Sequence, residues 1–379
     1  DGYVKTDNFQ LGKLIQQSSL GRISIDGTIV GQGFDLNDLD AKVNASVNFI
    51  EFENTAYHDI TINGLVSRKK FDGIFISQDP NLALNFNGKL DLSGKQPSYN
   101  FNSRFIKFNL QKIGLTKEPV IGSGIASLNF TGDNIDNFLG SAVLKNLVIE
   151  SKGKRLAMDY AMLESTQKEG RKQLRLTSNL ADALLDGKFN ISQLPSGFQL
   201  YLYHYLPEYI PRPIKFQDQA FTFDIQLKQI DTFVKMFAPD FQGGNQIWVN
   251  GDLNTYTQKF SMDATIPSFG YREFMLDSLV IIGAGDFNSL DLNANSRALT
   301  YNNDVIVPTL QLSSSMARDT ASLTINTQSI NSVLGQASLS CKATALNSNL
   351  YVRVLPSNMI INNMAWNFNS DHDLIFGER

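Results

Sequence analysis

From Leu82 to Leu92 the chain reads Leu-Ala-Leu-Asn-Phe-Asn-Gly-Lys-Leu-Asp-Leu. Successive side chains of an extended backbone point to opposite sides, so Leu82, Leu84, Phe86, Leu90 and Leu92 share one face and the other face is polar. The same two-residue period recurs at Val43/Ala45/Val47/Phe49, Leu174/Leu176, Phe221/Phe223/Ile225/Leu227, Phe260/Met262/Ala264/Ile266, Leu310/Leu312 and Leu350/Val352/Val354. Asn63-Gly64, Asp72-Gly73, Asn87-Gly88, Asp186-Gly187 and Asn250-Gly251 are dipeptides that close tight hairpins, and turns are expected among them, though not every one need be a turn. Asn87-Gly88 sits inside an unbroken alternation, where a bend in one long strand is an equal reading.

The phase of the alternation slips in places. Across Val47-Asn48-Phe49-Ile50-Glu51-Phe52 and again across Phe105-Ile106-Lys107-Phe108 the apolar positions change parity, which predicts β-bulges and a strongly twisted sheet. A self-comparison at an offset of 99 positions aligns Gly33 with Gly132, Leu39 with Phe138, Gly88 with Gly187, Lys89 with Lys188 and Ser93 with Ser192. A repeating sheet grows along one axis, each unit burying its apolar face on its neighbours. The expected organisation is a repetitive β-sheet over 1–195, a helix-containing insertion with an intervening strand over 196–240, and continuing sheet over 241–379.

Two segments leave the β pattern. Ser196 to Ile210 carries Phe198, Leu202, Tyr205, Leu206 and Tyr209 at helical spacing and is followed by Pro211 and Pro213, which predicts an amphipathic helix covering part of the sheet's apolar face. It has no Lys or Arg, which counts against a membrane-surface helix. Gln229 to Phe237 is a second, shorter helical candidate.

Composition agrees with the pattern: 42% hydrophobic, 18% charged, with Phe 26 and Gly 27, is the balance of a β-rich protein with many turns. A net charge of −4 argues against nucleic acid, since phosphate binding needs a basic face, and that class of partner is set aside. A single cysteine, Cys341, cannot form an internal disulfide and reads as a small buried apolar residue. No stretch is long and apolar enough for a transmembrane helix. The chain opens at Asp1-Gly2-Tyr3 without an initiator Met and is expected to be an interior segment of a longer protein.

No catalytic constellation emerges, and the chain is expected to be neither an enzyme nor a cofactor or metal carrier. His58, His204 and His372 are far apart and outside any zinc-ligand spacing. Gly122-Ser123-Gly124 and Gly283-Ala284-Gly285 lack the third glycine of a dinucleotide loop and read as hairpin turns.

Ile60-Thr61-Ile62-Asn63-Gly64, Phe71-Asp72-Gly73-Ile74-Phe75, Leu82 to Ser93 and Phe237-Ala238-Pro239-Asp240-Phe241-Gln242-Gly243-Gly244 together resemble the TamB/AsmA-like envelope proteins, especially the large forms of Bacteroidetes-type bacteria. The resemblance spans most of the chain. It implies an all-β, elongated, strongly twisted antiparallel sheet curled into a U-shaped groove, the β-taco, with an apolar concave side. It also implies the periplasm of a Gram-negative bacterium, inner-membrane anchorage through a segment outside this one, and an outer-membrane barrel partner of the TamA type. The function implied is the movement of phospholipids between inner and outer membranes, with support of outer-membrane protein assembly.

Acyl chains gain about 0.8 kcal/mol per methylene removed from water, so an apolar trough offers them a path without any catalytic group. The candidate groove-lining side chains are Val43, Val47, Phe49, Leu82, Leu84, Phe86, Leu90, Leu92, Leu174, Leu176, Phe221, Phe223, Ile225, Leu310, Leu312 and Val352. At ~4.8 Å per strand, 20–25 stacked strands would extend ~100–120 Å. The competing reading is a structural or adhesive β-repeat scaffold, in which the same residues close a core and leave no lipid path.

Overall fold

The computed structural model describes residues 2–14, 17–33, 38–53, 55–231, 234–235, 238, 240–328, 334–347, 349–368 and 372–377. The protein is all-β and antiparallel and divides into two compact units, Asp1–Thr166 with Leu176–Asn179, and Gln167–Arg175 with Leu180–Arg379.

The first unit comprises β1 (Gly2–Lys5), β2 (Phe9–Gln10), the single turn α1 (Leu11–Leu14), β3 (Leu20–Gln32), β4 (Asp40–Phe52), β5 (Thr55–Ser67), β6 (Lys70–Asp79), β7 (Leu82–Asp91), β8 (Ser98–Asn109), β9 (Ile121–Thr131), β10 (Leu139–Ser151) and β11 (Lys154–Lys168). From β3 to β11 each strand pairs with the next, and β1 and β2 pair with β3. β12 (Arg171–Ser178) contributes residues to both units, and the last two residues of β11, Gln167 and Lys168, belong to the second.

The second unit holds β13 (Ala181–Lys188), α2 (Leu194–Tyr205), β14 (Ala220–Gln229), β15 (Phe241–Gly243), β16 (Asn245–Asn254), β17 (Lys259–Tyr271), β18 (Phe274–Asp286), β19 (Leu290–Tyr301), β20 (Asp304–Ala317), β21 (Thr320–Gln328), β22 (Leu334–Leu346), β23 (Asn349–Val354), β24 (Ser357–Ile361), β25 (Met364–Phe368) and β26 (Asp373–Phe376). β15 pairs with β17 beside the main ladder, and β22 pairs with β23 along one half and β24 along the other. Among the described residues neither unit's ladder closes on itself, so both sheets are open rather than barrels.

The expected turns are corrected. Asn63-Gly64, Asp72-Gly73, Asn87-Gly88, Asp186-Gly187 and Asn250-Gly251 all lie inside strands. Gly64, Gly73 and Gly88 stand in register across β5, β6 and β7. A Cβ on Gly73 would come within 2.5 Å of the Gly64 Cα, and one on Gly88 within 2.5 Å of the Phe101 Cα. These glycines permit close approach of neighbouring backbones, not chain reversal. The hairpins close instead at Arg68-Lys69, Lys152-Gly153, Asn302-Asn303 and Arg318-Asp319, each with positive φ at both central residues, as a type I′ turn between right-twisted strands requires. Gly122-Ser123-Gly124 and Gly283-Ala284-Gly285 are likewise within β9 and β18.

Both expected bulges are present. Ile25 faces Val47 while Ser24 faces Phe49, leaving Asn48 as the extra residue. Leu84 faces Phe105 while Ala83 faces Lys107, leaving Ile106. The offset of 99 also appears in strand starts: β4 begins at Asp40 and β10 at Leu139, β5 at Thr55 and β11 at Lys154, β7 at Leu82 and β13 at Ala181.

The longer helix runs from Leu194 to Tyr205, beginning and ending earlier than expected. Pro195 occupies its first turn, where a missing N–H costs nothing, and Pro207 drives Leu206 out of the helical region (φ −134°, ψ 56°). Of the shorter candidate, Asp231, Val234 and Lys235 are helical, while residues 232–233 and 236–237 lie outside the described set.

Candidate functional site

Paired residues of adjacent strands point to the same side of a sheet, so the registers identify each unit's apolar face. In the first unit Val47 faces Ile60, Ile60 faces Ser77, and Ser77 faces Leu84; one row along, Ala45, Ile62, Phe75, Phe86, Ser103 and Ala126 follow one another. Val43, Val47, Leu82, Leu84, Phe86 and Leu90 therefore share a face, as the alternation predicts.

This face is closed at one point and open elsewhere. Ile23, Val47 and Ile60 form a tight cluster backed by Leu11, Ile25, Ile50 and Tyr57. Beyond it lies an open apolar trough of ≈ 780 Å³ lined by Ile62, Val66, Phe71, Phe75, Leu84, Phe86, Leu90, Tyr99, Phe101, Ser103, Phe105, Leu128 and Phe130. Aromatic rings dominate it, with Phe86 4.7 Å from Phe101 and Tyr99 stacked on Phe130 at 4.6 Å between centroids. Val66 also lines a second apolar recess, of ≈ 520 Å³, with Val4, Phe9, Ile29 and Val43. Phe105 also lines a third, of ≈ 330 Å³, with Leu82, Phe108, Leu144 and Leu147. The three recesses thus share walls in sequence across the sheet. The Ser103 hydroxyl, 2% exposed, lies in the trough's floor without a hydrogen-bond partner.

The opposite face is charged and cross-linked by ion pairs between strands, Asp72 with Lys89 at 2.7 Å and Lys70 with Asp91 at 2.8 Å. Hydrogen bonds from Lys70 and Ser93 depress the Asp91 carboxyl to about 2.

Two expected lining residues are elsewhere. Phe49 faces Ser24 on the opposite side from Val47, because the bulge at Asn48 inverts the parity; its ring meets His58 at 5.4 Å and the Arg22 guanidinium at 5.6 Å. Leu92 lies past the end of β7 and is 49% exposed. Leu174 is buried and Leu176 half-buried in β12. The lining residues Tyr99, Phe101 and Phe105 were legible as a further alternation, Tyr99-Asn-Phe-Asn-Ser-Arg-Phe105, interrupted on its apolar side by one serine.

In the second unit the rows run Phe223, Gly251, Met262, Gly283, Leu292, Ser314, Leu323 and Cys341, and beside it Ile225, Val249, Ala264, Ile281, Ala294, Leu312 and Ile325. Phe221, Phe223, Ile225, Leu310, Leu312 and Val352 all fall on this face. Here α2 lies over it. Leu200, Tyr201 and Tyr205 are its buried side chains, while Phe198 and Leu202, expected to face inward, are 39% and 45% exposed. The Tyr201 hydroxyl shares its proton between the carbonyls of Asn254 (2.9 Å) and Lys259 (2.7 Å), and Tyr205 donates to the Asp286 carbonyl at 2.6 Å. Burial raises both phenols above their ordinary range. His204 stacks on Phe287 at 4.1 Å, and burial, then the Arg212 charge, lowers its pKa.

Among the described residues no cluster of His, Cys, Asp or Glu is arranged to hold a metal ion, and no helix is long and apolar enough to cross a membrane. Compared with family profiles, with curated proteins and with solved structures, the chain matches none of them.

Proposed function

We propose that this chain forms part of an apolar route for phospholipids between the inner and outer membranes of a Gram-negative envelope. The observation that carries the reading is the run of three apolar recesses in the first unit that share Val66 and Phe105. Acyl chains laid along them leave water while headgroups stay solvated at the open rim, and the transfer needs no chemistry. The trough walls span β5 to β9, four strand spacings of ~4.8 Å or ~19 Å. Half of a ~30 Å hydrocarbon core, the depth of one leaflet's acyl chains, is ~15 Å. In this reading the protein acts in the periplasm, anchored in the inner membrane by a segment outside this one, and works with an outer-membrane barrel partner of the TamA type. Support of outer-membrane protein assembly belongs to the same proposal.

The tight cluster at Ile23, Val47 and Ile60 favours a second reading in which the face is a closed core and the protein a scaffold. In-cell photo-crosslinking separates the two. Probes at Leu84, Phe86 and Leu90 are expected to capture lipid, and probes at Asn85 and Asp91 are not. A folded protein that captures no lipid at the first three positions is a scaffold.

A further inference from the structure

The registers allow the two units to be compared position by position. Gly88 and Gly187 stand 99 residues apart with φ of 146° and 150°. Gly88 pairs with Phe101 and Phe101 with Leu128; Gly187 pairs with Phe221 and Phe221 with Leu253. Phe101 and Leu128 are half-buried and line the open trough of the first unit. Their counterparts Phe221 and Leu253 are 6% and 1% exposed.

The difference is α2. In the first unit β7 and β8 are joined by residues 92–97, whereas the matching connection from β13 to β14 runs over 189–219 and carries the helix. Gly197 sits against Leu253, Phe198 meets Phe260 edge-on, and Tyr201 packs between Phe260 and Phe287. The helix fills in one unit the position that is open in the other.

Its attachment is of a kind that can be undone without touching the sheet. The ladder runs directly from β13 to β14 to β16, so no strand pairing depends on α2. The helix has no side-chain cap and no acidic residue in its first turn, and at twelve residues it is too short to hold itself together in water without tertiary packing. Residues 206–219, which follow it, contain no strand or helix.

We infer that the second unit carries a further acyl-chain site at Phe221, Leu253 and Phe260, closed by α2 as an internal stopper, so that helix and acyl chain occupy it in alternation. The inference rests on the reading of the first unit's trough as an acyl-chain site. The test uses the whole chain and a palmitate analogue bearing a diazirine, with adducts mapped by peptide mass spectrometry. In the native chain adducts are expected on the trough strands of the first unit and not on β14 or β16. In a variant whose residues 190–218 are replaced by the Ser93–Pro97 connection, labelling of β14 and β16 is expected to rise at least fivefold, and bound palmitate from one to two per chain. A variant with undisturbed amide-exchange protection in β16 to β21 and labelling confined to the first unit overturns the stopper. Absence of adducts from the first unit of the native chain overturns the acyl-chain reading itself, so the two failures are distinct. Should that variant not fold, the double substitution Tyr201→Phe and Tyr205→Phe keeps the apolar packing and removes the hydroxyl bonds. A several-fold gain in β16 labelling is then expected, and unchanged labelling refutes the inference.

Discussion

Val47 and Phe49 sit two positions apart in β4, and simple alternation puts them on one face; the bulge at Asn48 puts them on opposite faces. Replacing each by Asn separates these views. Val47 is 1% exposed between Ile25 and Ile60. Val47→Asn forfeits about 2 kcal/mol of apolar burial and leaves amide groups with no partner at roughly 1–3 kcal/mol, a loss of about 4 kcal/mol. Phe49 is half-buried against His58 and Arg22. Phe49→Asn gives up part of its burial and one ring contact, about 1–1.5 kcal/mol, and the new amide meets water. The difference of about 3 kcal/mol is expected in the exchange protection of β4 and β5 amides, a local readout suited to a repeating sheet whose parts open separately. Equal losses, or a larger loss for Phe49→Asn, would refute the inversion.

Further expectations follow from single contacts. Gly88→Ala places a Cβ 2.4 Å from the Asn100 carbonyl at a φ of 146° and is expected to cost about 2–3 kcal/mol in urea unfolding, whereas Gly114→Ala, with open space around it, costs about 1 kcal/mol. Asp91 titrates at about 2 in the fold against an ordinary 3.8, and Asp26, Asp186, Asp373 and Glu51 are lowered as well. The stability they supply is complete above the ordinary carboxylate range and is lost as pH falls, through about 2 for Asp91, so the urea midpoint should drop between pH 5 and 2, less steeply in Asp91→Asn; a flat midpoint contradicts the pairing. His204 is held below its ordinary 6.5, so its share of stability is complete above that pH and declines beneath it. The protection factors of the α2 amides, which remove the intrinsic pH dependence of exchange, should therefore fall between pH 7 and 5 and do so less in His204→Gln.

What alternation conveys is which residues can share a face, and it served best where strands run without irregularity, as at Leu82 to Leu90. It failed at Phe49 because the change of parity across Val47 to Phe52 signals a bulge without saying which residue is the extra one; pairing with β3 makes it Asn48 and so turns Phe49 over. Turns were misplaced for a related reason: Asn-Gly satisfies a type I′ turn, but so do Arg-Lys and Arg-Asp when long strands on both sides enforce it, and glycine is also demanded where backbones crowd. The buried side of α2 is Leu200, Tyr201 and Tyr205; Leu202 is turned to solvent, and Phe198, though partly exposed, reaches the sheet through its edge-on contact with Phe260. Pro207, the nearer stop signal, was overlooked in favour of Pro211.

Between Asp40 and Leu139, where the pattern of strand starts recurs, the chain lays down six strands, β4 to β9. Six is even. In an antiparallel meander an even number of strands returns the chain to the end from which it set out, travelling the same way and presenting the same alternation inward. A tandem copy of such a block can be spliced in at the level of the gene without inverting a strand or turning an apolar face outward, whereas an odd block would do both. A segment inserted into a connection, such as the one that carries α2 in the second unit, lengthens a link and leaves the ladder of that unit in step.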